Sequence, residues 1–129
     1  MKKEIVITAM ILIIIIVGEV LAQNYTTKCV EETNQELNGL KELAMKGENT
    51  NEELEAKSNE IYNNWREKSH VLAYYLEHDE LEKVDTQIQI ITADYEAGLT
   101  EESIPEIEQA IYILKHIKEK TTLLLKNVF

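Results

Sequence analysis

Turn-forming residues are scarce in this sequence, which has one proline and four glycines in 129 residues. A β-sandwich or a β-barrel needs far more tight turns than so few of these residues supply. Glutamate, lysine, leucine and isoleucine are abundant instead, and these residues favour helices. The composition therefore predicts an all-α fold, and the length allows one compact domain at most.

Cysteine is nearly absent, since Cys29 is the one thiol in the chain. A single thiol excludes an intramolecular disulfide and a metal site built from several cysteines. Helical periodicity puts Cys29 at the edge of the packing face of its helix, about 80° from the centre of that face. Two interpretations stay open, namely a small packing residue or an intermolecular disulfide that joins two chains in a homodimer.

Positive charge is also in short supply, because 13 basic residues stand against 24 acidic ones and give a net charge of −11. Residues 1–22 hold two charges of each sign, so residues 23–129 keep the same net charge. Such a domain repels nucleic-acid phosphates, and we expect no nucleic-acid partner. An acidic surface suits solubility, cations or basic partners.

The long apolar run of the sequence is confined to its N-terminus. Residues 5–22 carry a single charge, Glu19, close to the far end of the run. In a helix these residues span about 27 Å, which is just enough to cross the hydrocarbon core of a membrane. Because Lys2 and Lys3 precede the run, the positive-inside rule puts the N-terminus in the cytoplasm and residues 23–129 outside it.

A cleaved signal peptide is the second interpretation of residues 1–22. The sequence Val20-Leu21-Ala22 places small residues where a signal peptidase reads them, and cleavage after Ala22 would release a secreted protein. Both interpretations place the rest of the chain outside the cytoplasm. We predict a single-pass protein of the cell membrane, with secretion as the alternative.

Beyond the apolar run, hydrophobic residues recur every three or four positions in four segments. This period is typical of amphipathic helices. The first of them continues directly from the apolar run, so that a membrane helix leads into the bundle. Its predicted packing stripe is Thr26, Val30, Thr33, Leu37, Leu40 and Ala44. The predicted helices are at about 23–46, 51–77, 79–97 and 101–128.

Local signals mark several of the predicted helix ends. Gly47 and Gly98 are natural C-terminal caps. The sequence from Thr50 to Glu53 fits a capping box, and Ser103–Glu106 fits another with Pro105 in the first turn, although Thr100 is an alternative start for the last helix. Short links of this kind join antiparallel neighbours, so we predict a small antiparallel up-and-down helical bundle.

No glycine or proline separates the second helix from the third, but the apolar face changes direction between them. Ile61, Trp65 and Leu72 share one side of a helix, and the apolar residues of 81–95 point more than 100° away. One straight helix would leave one of these faces in water. We therefore expect a break near residues 77–80, with Asp79 as the N-cap and Glu82 completing a capping box.

Four features together carry a resemblance to a known family. They are the N-terminal hydrophobic helix, Trp65, the segment Tyr75-Leu-Glu-His-Asp-Glu-Leu81 and the segment Asn127-Val-Phe129. Over essentially its whole length the chain resembles a family of short proteins from Gram-positive, mostly clostridial, bacteria that is known as a domain of unknown function. The resemblance implies a membrane-anchored helical protein without an assigned activity, and it carries over no catalytic residues.

Residues 77–80, with the sequence Glu-His-Asp-Glu, are the densest polar cluster of the chain. All four residue types bind metals, but adjacent residues of a helix point in different directions and cannot converge on one ion. We predict no metal site and no cofactor. Helix capping and contact with a partner or ligand are the two interpretations of this cluster, and Trp65 is either a core anchor or the wall of a ligand cavity. The candidate contact residues are Trp65, Glu77, His78, Asp79 and Glu80.

Catalytic motifs cannot be recognised in the sequence, which has no Gly-rich phosphate loop. We therefore expect no enzymatic activity. The leading hypothesis is an accessory protein whose extracytoplasmic bundle contacts another membrane or exported protein. The alternative is a sensory or small-ligand-binding bundle that acts through a membrane partner.

Overall fold

A computed structural model describes the backbone of residues 1–128 and the side chains of residues 1–123. Helices account for nearly all of this part of the chain, and no strand is present in it. The all-α prediction is therefore confirmed. The helices are α1 (Lys2–Lys46), α2 (Asn51–Leu72), α3 (His78–Glu96) and α4 (Thr100–Val128).

The first helix, α1, is one uninterrupted helix of 45 residues, about 68 Å long at 1.5 Å per residue. Its N-terminal half projects from the bundle, and residues 1–21 are all exposed. An 18-residue window of α1 has a mean hydropathy of 2.9, and none of that window is buried. Within the described part of the chain, α1 is the one helix that is long and apolar enough to cross a membrane.

The C-terminal half of α1 packs into the bundle along the predicted stripe. Each predicted residue of this stripe is buried, including two threonines. Cys29 is also buried, with 2 % of its surface exposed, so the prediction that it lies at the edge of the packing face is wrong. The buried face is wider than one stripe because α1 packs against both α2 and α4. The buried stripe is Thr26, Val30, Thr33, Leu37, Leu40 and Ala44.

Contacts between side chains show that neighbouring helices are antiparallel. In each pair, residues late in one helix meet residues early in the other, and the packing closes in the order α1, α2, α3, α4 and back to α1. The predicted up-and-down topology agrees with these pairs. The contacts are Glu36–Asn64 and Thr26–Tyr75, Ser58–Thr92 and Trp65–Asp85, Tyr95–Ser103 and Glu80–Lys120, and Glu31–Lys118 and Gln23–Thr122.

One hydrophobic core runs through the bundle, and every helix contributes side chains that have no exposed surface. Burying each large aliphatic side chain contributes about 1.5–3 kcal/mol relative to leaving it in water. The largest of these side chains is Trp65. Representative members are Leu37 and Leu40 of α1, Ile61 and Trp65 of α2, Ile88 and Ile91 of α3, and Ile107 and Leu114 of α4.

Three of the predicted helix ends are confirmed. Gly47 has φ 69° and Gly98 has φ 74°, which is the left-handed region that glycine adopts without a steric penalty. At the start of α2, the backbone N–H of Glu53 donates to Oγ1 of Thr50 at 3.2 Å, as predicted. The carboxylate of Glu53 accepts a hydrogen bond from Nδ2 of Asn49 at 2.8 Å and not from the backbone N–H of Thr50, so only one half of the predicted capping box forms.

The break between α2 and α3 comes earlier than predicted. The second helix ends at Leu72, and α3 begins at His78 with Glu77 as its N-cap, so the prediction of Asp79 as the N-cap is wrong. The carbonyl of Leu72 accepts backbone hydrogen bonds from the N–H groups of both Tyr75 and Leu76, which closes the last turn of α2. Asp79 lies within the first turn of α3, where its negative charge faces the positive end of the helix dipole.

The last helix, α4, begins at Thr100, the alternative start that the sequence allowed. Ser103 is therefore not its N-cap. Ser103 is buried, and its hydroxyl bonds to the carbonyl of Thr100 and to the hydroxyl of Tyr95. Pro105 lies one turn further into the helix than predicted. The segment 127–129, which carried part of the family resemblance, falls outside the side chains that the structure describes.

Candidate functional site at the turn between the second and third helices

The turn at residues 73–77 lies against α1 at the point where the apolar run ends. The hydroxyl of Tyr75 donates to the carbonyl of Ala22 at 3.1 Å and lies 2.9 Å from Oγ1 of Thr26. The hydroxyl of Thr26 also donates to the Ala22 carbonyl, at 2.8 Å. These three residues therefore fix the turn to the junction between the apolar half of α1 and its packed half.

Ionisable groups around this junction are held in their neutral forms. Burial, followed by a hydrogen bond with Cys29, raises the pKa of Tyr25 to about 12. Burial also raises the pKa of the Cys29 thiol and of the Tyr75 hydroxyl. The junction is thus an environment that disfavours negative charge on these three groups. Tyr74, the neighbour of Tyr75, is 89 % exposed.

A cleft of about 460 Å³ separates the turn from the apolar half of α1. Its walls reach along α1 from Gln23 down to Ile15, and they include Glu19, the single charge of the apolar run. The opposite wall is formed by Tyr75 and Leu76 of the turn and by Thr121 of α4. The end of the bundle therefore overlaps the last two turns of the apolar run.

The predicted polar cluster at residues 77–80 is only partly brought together. Nζ of Lys120 lies 3.7 Å from Glu77 and 3.5 Å from Glu80, and Lys83 lies 3.9 Å from Glu80. Oε2 of Glu80 is buried and makes no hydrogen bond among the described residues. His78 and Asp79 are exposed. Two of the four residues thus face α4 as an ion-pair cluster, while the other two face solvent.

Two cavities flank this ion-pair cluster. An inner cavity of about 100 Å³ lies between the turn and α4, next to Tyr75, Leu76 and Ile117, and it has room for a few water molecules. An open groove of about 750 Å³ runs between α3 and α4, which is the volume of an ordinary small-ligand site. Glu80 lines both.

Trp65 does not belong to this cluster. Its side chain has no exposed surface, and its indole Nε1 donates to Oδ1 of Asp85 at 2.6 Å. Arg66 donates to the other oxygen of Asp85 at 3.1 Å. Trp65 therefore occupies the core, as one of its two interpretations stated. The contact of Trp65 with a partner stays a prediction. Asp85, which accepts the indole hydrogen bond, connects the buried ring to the edge of the bundle.

An intermolecular disulfide at Cys29 does not fit the structure. The thiol is almost wholly buried between helices, and burial raises its pKa, which lowers the fraction of reactive thiolate. A second chain cannot reach the Cys29 sulfur while the bundle is folded. Cys29 is therefore not the site of a disulfide between two chains. A homodimer formed through another surface stays a prediction.

Among the side chains of residues 1–123, no three histidine, cysteine, aspartate or glutamate residues are arranged to hold a metal ion. The side chains at and beside the turn offer two kinds of contact. Tyr74 and Tyr75 present aromatic rings with polar tips, and Glu77, Glu80 and Lys120 present a compact set of charges. Both kinds suit recognition of a surface.

Sequence reasoning missed the partners of the charged residues. Lys68 is a charged residue on the apolar side of α2, and this position was a sign in the sequence that it needs an acidic partner. Its Nζ lies 3.3 Å from Glu32 and 3.4 Å from Glu36. Asp85 and Lys120 gave no comparable signal. Their roles depend on the register between helices far apart in sequence, and one sequence does not specify that register.

The fold and the turn together define a class of protein, an antiparallel four-helix bundle that continues without a break into an exposed apolar helix. The chain belongs to the family described as "Domain of unknown function (DUF4363)", whose pattern matches residues 20–128. The resemblance to a domain of unknown function is confirmed to that extent. No curated protein and no solved structure matches the chain.

Proposed function

We propose that this protein is a membrane-anchored accessory protein whose helical bundle contacts another membrane or exported protein outside the cytoplasm. The observation that carries this proposal is the apolar half of α1, of which no residue in the most apolar 18-residue window is buried and which is continuous with the bundle. Burying each isoleucine or leucine of that half in a hydrocarbon core would contribute about 1.5–3 kcal/mol. A bilayer supplies this burial, and the bundle does not.

The charges that flank the apolar run support the proposed orientation. Lys2 and Lys3 stand at one end, and residues 23–129 with their net charge of −11 stand at the other. Basic residues near the end of a span are retained in the cytoplasm. The Gram-positive, mostly clostridial, origin that the family resemblance implies belongs to this proposal as well.

Contacts at Ala22 favour an intact anchor over a cleaved signal peptide. The Ala22 carbonyl accepts hydrogen bonds from Tyr75 and Thr26, and Nε2 of Gln23 donates to Oγ1 of Thr122 at 3.3 Å. Both residues lie within an uninterrupted helix. Cleavage after Ala22 would remove the acceptor of the Tyr75 hydroxyl.

The intact mass of the protein extracted from membranes tests the anchor. We expect a mass that includes residues 1–22, retention in the membrane after an alkaline wash, and a reporter fused after residue 129 that is active only outside the cytoplasm. A chain that begins at Gln23 and is found in the medium would support the secreted alternative. A cytoplasmic reporter would overturn the proposed compartment and the proposed class of partner.

The accessory role is tested by crosslinking in intact cells followed by purification of the full-length chain from membranes. We expect one membrane or exported protein to be enriched. Replacement of the exposed residues Tyr74 and His78 by alanine should weaken that enrichment if the turn is the contact, with Glu52→Ala at the far end of the bundle as the matched control. Equal enrichment in all variants would place the contact elsewhere on the bundle, and no specific enrichment would contradict the role.

A small-ligand sensor is the second candidate function. The groove between α3 and α4 favours it, because its volume of about 750 Å³ suits a small molecule and its walls include Glu80, Lys83 and His116. Thermal unfolding of the full-length protein in detergent with metals, amino acids or peptides provides the test. A midpoint raised by one ligand class favours a sensor, and unchanged midpoints argue against it.

A further inference from the structure

The turn at residues 73–77 contacts α1 at Ala22, the last residue of the apolar run. Tyr75 bonds to the carbonyl of Ala22, and the cleft beside it extends along α1 as far as Ile15. Residues 5–22 span about 27 Å, so a hydrocarbon core uses the whole of this length. Lifting residues 15–22 clear of the bilayer would leave about 15 Å of apolar helix, which is too short to cross it.

We infer that the end of the bundle nearest to the apolar run lies in the outer interface of the bilayer that residues 5–22 cross. This membrane-facing end consists of the turn at residues 73–77 and of α4 from Thr121 onward. Its partner is the layer of lipid headgroups and upper acyl chains. The inference, which rests on the anchor proposed above, adds a second and separate contact between this chain and the membrane.

The register between α1 and α4 places the end of α4 at the right depth. Gln23 bonds to Thr122, and the two helices are antiparallel. Each residue of α4 after Thr122 therefore descends by about 1.5 Å alongside the apolar run. Leu123 is 60 % exposed at this point. The backbone of α4 continues as a helix to Val128.

Exposed apolar groups gather at this membrane-facing end on the other helices as well. Tyr74 projects from the turn, and Val71 in the last turn of α2 is also exposed. Tyrosine is enriched at membrane interfaces because its ring is apolar and its hydroxyl can stay hydrated. Lys120 offsets the charge of Glu77 and Glu80 beside the turn, which reduces their repulsion from anionic headgroups.

Fluorescence quenching by brominated lipids tests the second contact. Full-length protein is reconstituted in phosphatidylcholine vesicles that carry bromine on the upper acyl chain. Tryptophan is introduced as Tyr74→Trp or Leu123→Trp, and the emission of Trp65 in the wild type is subtracted. The matched control is Tyr112→Trp, since Tyr112 is also exposed, at 66 %. It lies about 16 Å further from the membrane than Leu123 along α4.

We expect quenching at positions 74 and 123 to exceed that at position 112 by about twofold or more, because interfacial residues sit at headgroup depth. The two positions are exposed on different elements, so a folding defect in one variant leaves the other informative. Equal quenching at 74, 123 and 112 would overturn the second contact. Ile13→Trp reports the anchor separately. Quenching at position 13 without excess at 74 and 123 retains the anchor alone, and no quenching at 13 overturns both.

Discussion

Trp65 and Asp85 join α2 to α3 through a hydrogen bond of 2.6 Å from the indole Nε1 to the carboxylate Oδ1. Asp85 also accepts from Arg66, so that one carboxylate satisfies a buried ring and holds an exposed guanidinium. The largest side chain of the core thereby obtains a partner for its single polar atom. Removal of that partner is the most direct test of how the core is specified.

Replacement of Asp85 by alanine is expected to lower the free energy of unfolding by about 1–3 kcal/mol, because the buried indole N–H loses its acceptor. Asp85→Asn keeps an acceptor oxygen and should recover much of this loss. Urea unfolding of the full-length protein in detergent, followed by Trp65 fluorescence, measures both. Glu82→Ala, at an exposed position of α3 beyond its first turn, is the control and should change stability by at most about 0.5 kcal/mol. Equal losses for Asp85→Ala and the control would contradict the role of Asp85.

Ser58 and Thr92 form a buried pair of hydroxyl groups, and replacing one or the other should lower the free energy of unfolding by different amounts. Their oxygens lie 2.6 Å apart, and Thr92 also donates to the carbonyl of Ile88, so Ser58 is the donor within the pair. Thr92→Val leaves the Ser58 proton without its acceptor and should cost about 1–3 kcal/mol. Ser58→Ala leaves Thr92 bonded to Ile88 and should cost less.

The double variant of Ser58 and Thr92 completes this test. We expect its loss of stability to be smaller than the sum of the two single losses, since neither position then leaves an unpaired hydroxyl group. Urea unfolding of all four proteins under one set of conditions gives the coupling free energy. Strict additivity would show that the two hydroxyl groups do not interact.

The thiol of Cys29 should be unreactive while the bundle is folded. It is buried, and burial raises its pKa, so its thiolate fraction is smaller than that of a free cysteine at any pH below that pKa. We expect a thiol reagent to modify it at least about tenfold more slowly than Lys28→Cys in a Cys29→Ser background. Non-reducing electrophoresis should show no disulfide-linked dimer. Rapid native labelling would contradict the packing at Cys29.

Stability at neutral pH should rise when Asp94 is replaced by asparagine. Burial, together with the charges of Glu106 and Glu102, raises the pKa of Asp94, and its Oδ2 is buried without a hydrogen-bond partner among the described residues. The folded state therefore binds the proton more tightly than the unfolded state. Above the unfolded pKa of about 4 the charged carboxylate thus lowers stability.

The pH dependence of the Asp94→Asn effect distinguishes this cause from others. The gain should be present at pH 7, should shrink as the pH falls through the raised pKa of Asp94 in the folded state, and should vanish below about 4, where Asp94 is protonated in both states. Glu96→Gln, at an exposed position of the same helix, provides the control. A gain of equal size at acidic and neutral pH would show that the charge of Asp94 is not its cause.

Helix packing faces could be predicted from the sequence because they depend on local periodicity. The stripe from Thr26 to Ala44 is buried as predicted, and so are the apolar positions from Leu81 to Tyr95. The break between α2 and α3 was predicted at residues that lie too far along the chain, because α2 already ends at Leu72. A capping pattern at Asp79 suggested it, whereas the turn is closed by backbone hydrogen bonds to Leu72 and is held by Tyr75.

Contacts across the bundle could not be predicted, because they depend on how far each helix slides along its neighbour. Tyr75 meets Ala22 across 53 residues of sequence, and Lys120 meets Glu77 across the gap between α3 and α4. The sequence showed that residues 77–80 were polar. It did not show which of them would face α4, since that depends on where α3 begins.

The unbroken course of α1 turns the apolar run and the bundle into a single stiff lever. Twenty-four residues separate Ala22 from Lys46 and span about 36 Å. In the proposed membrane anchor, a tilt of the apolar run by about 10° would therefore carry the far end of α1 sideways by about 6 Å. Because α1 has no break between its two halves, a change in the orientation of the apolar half would move the bundle with it.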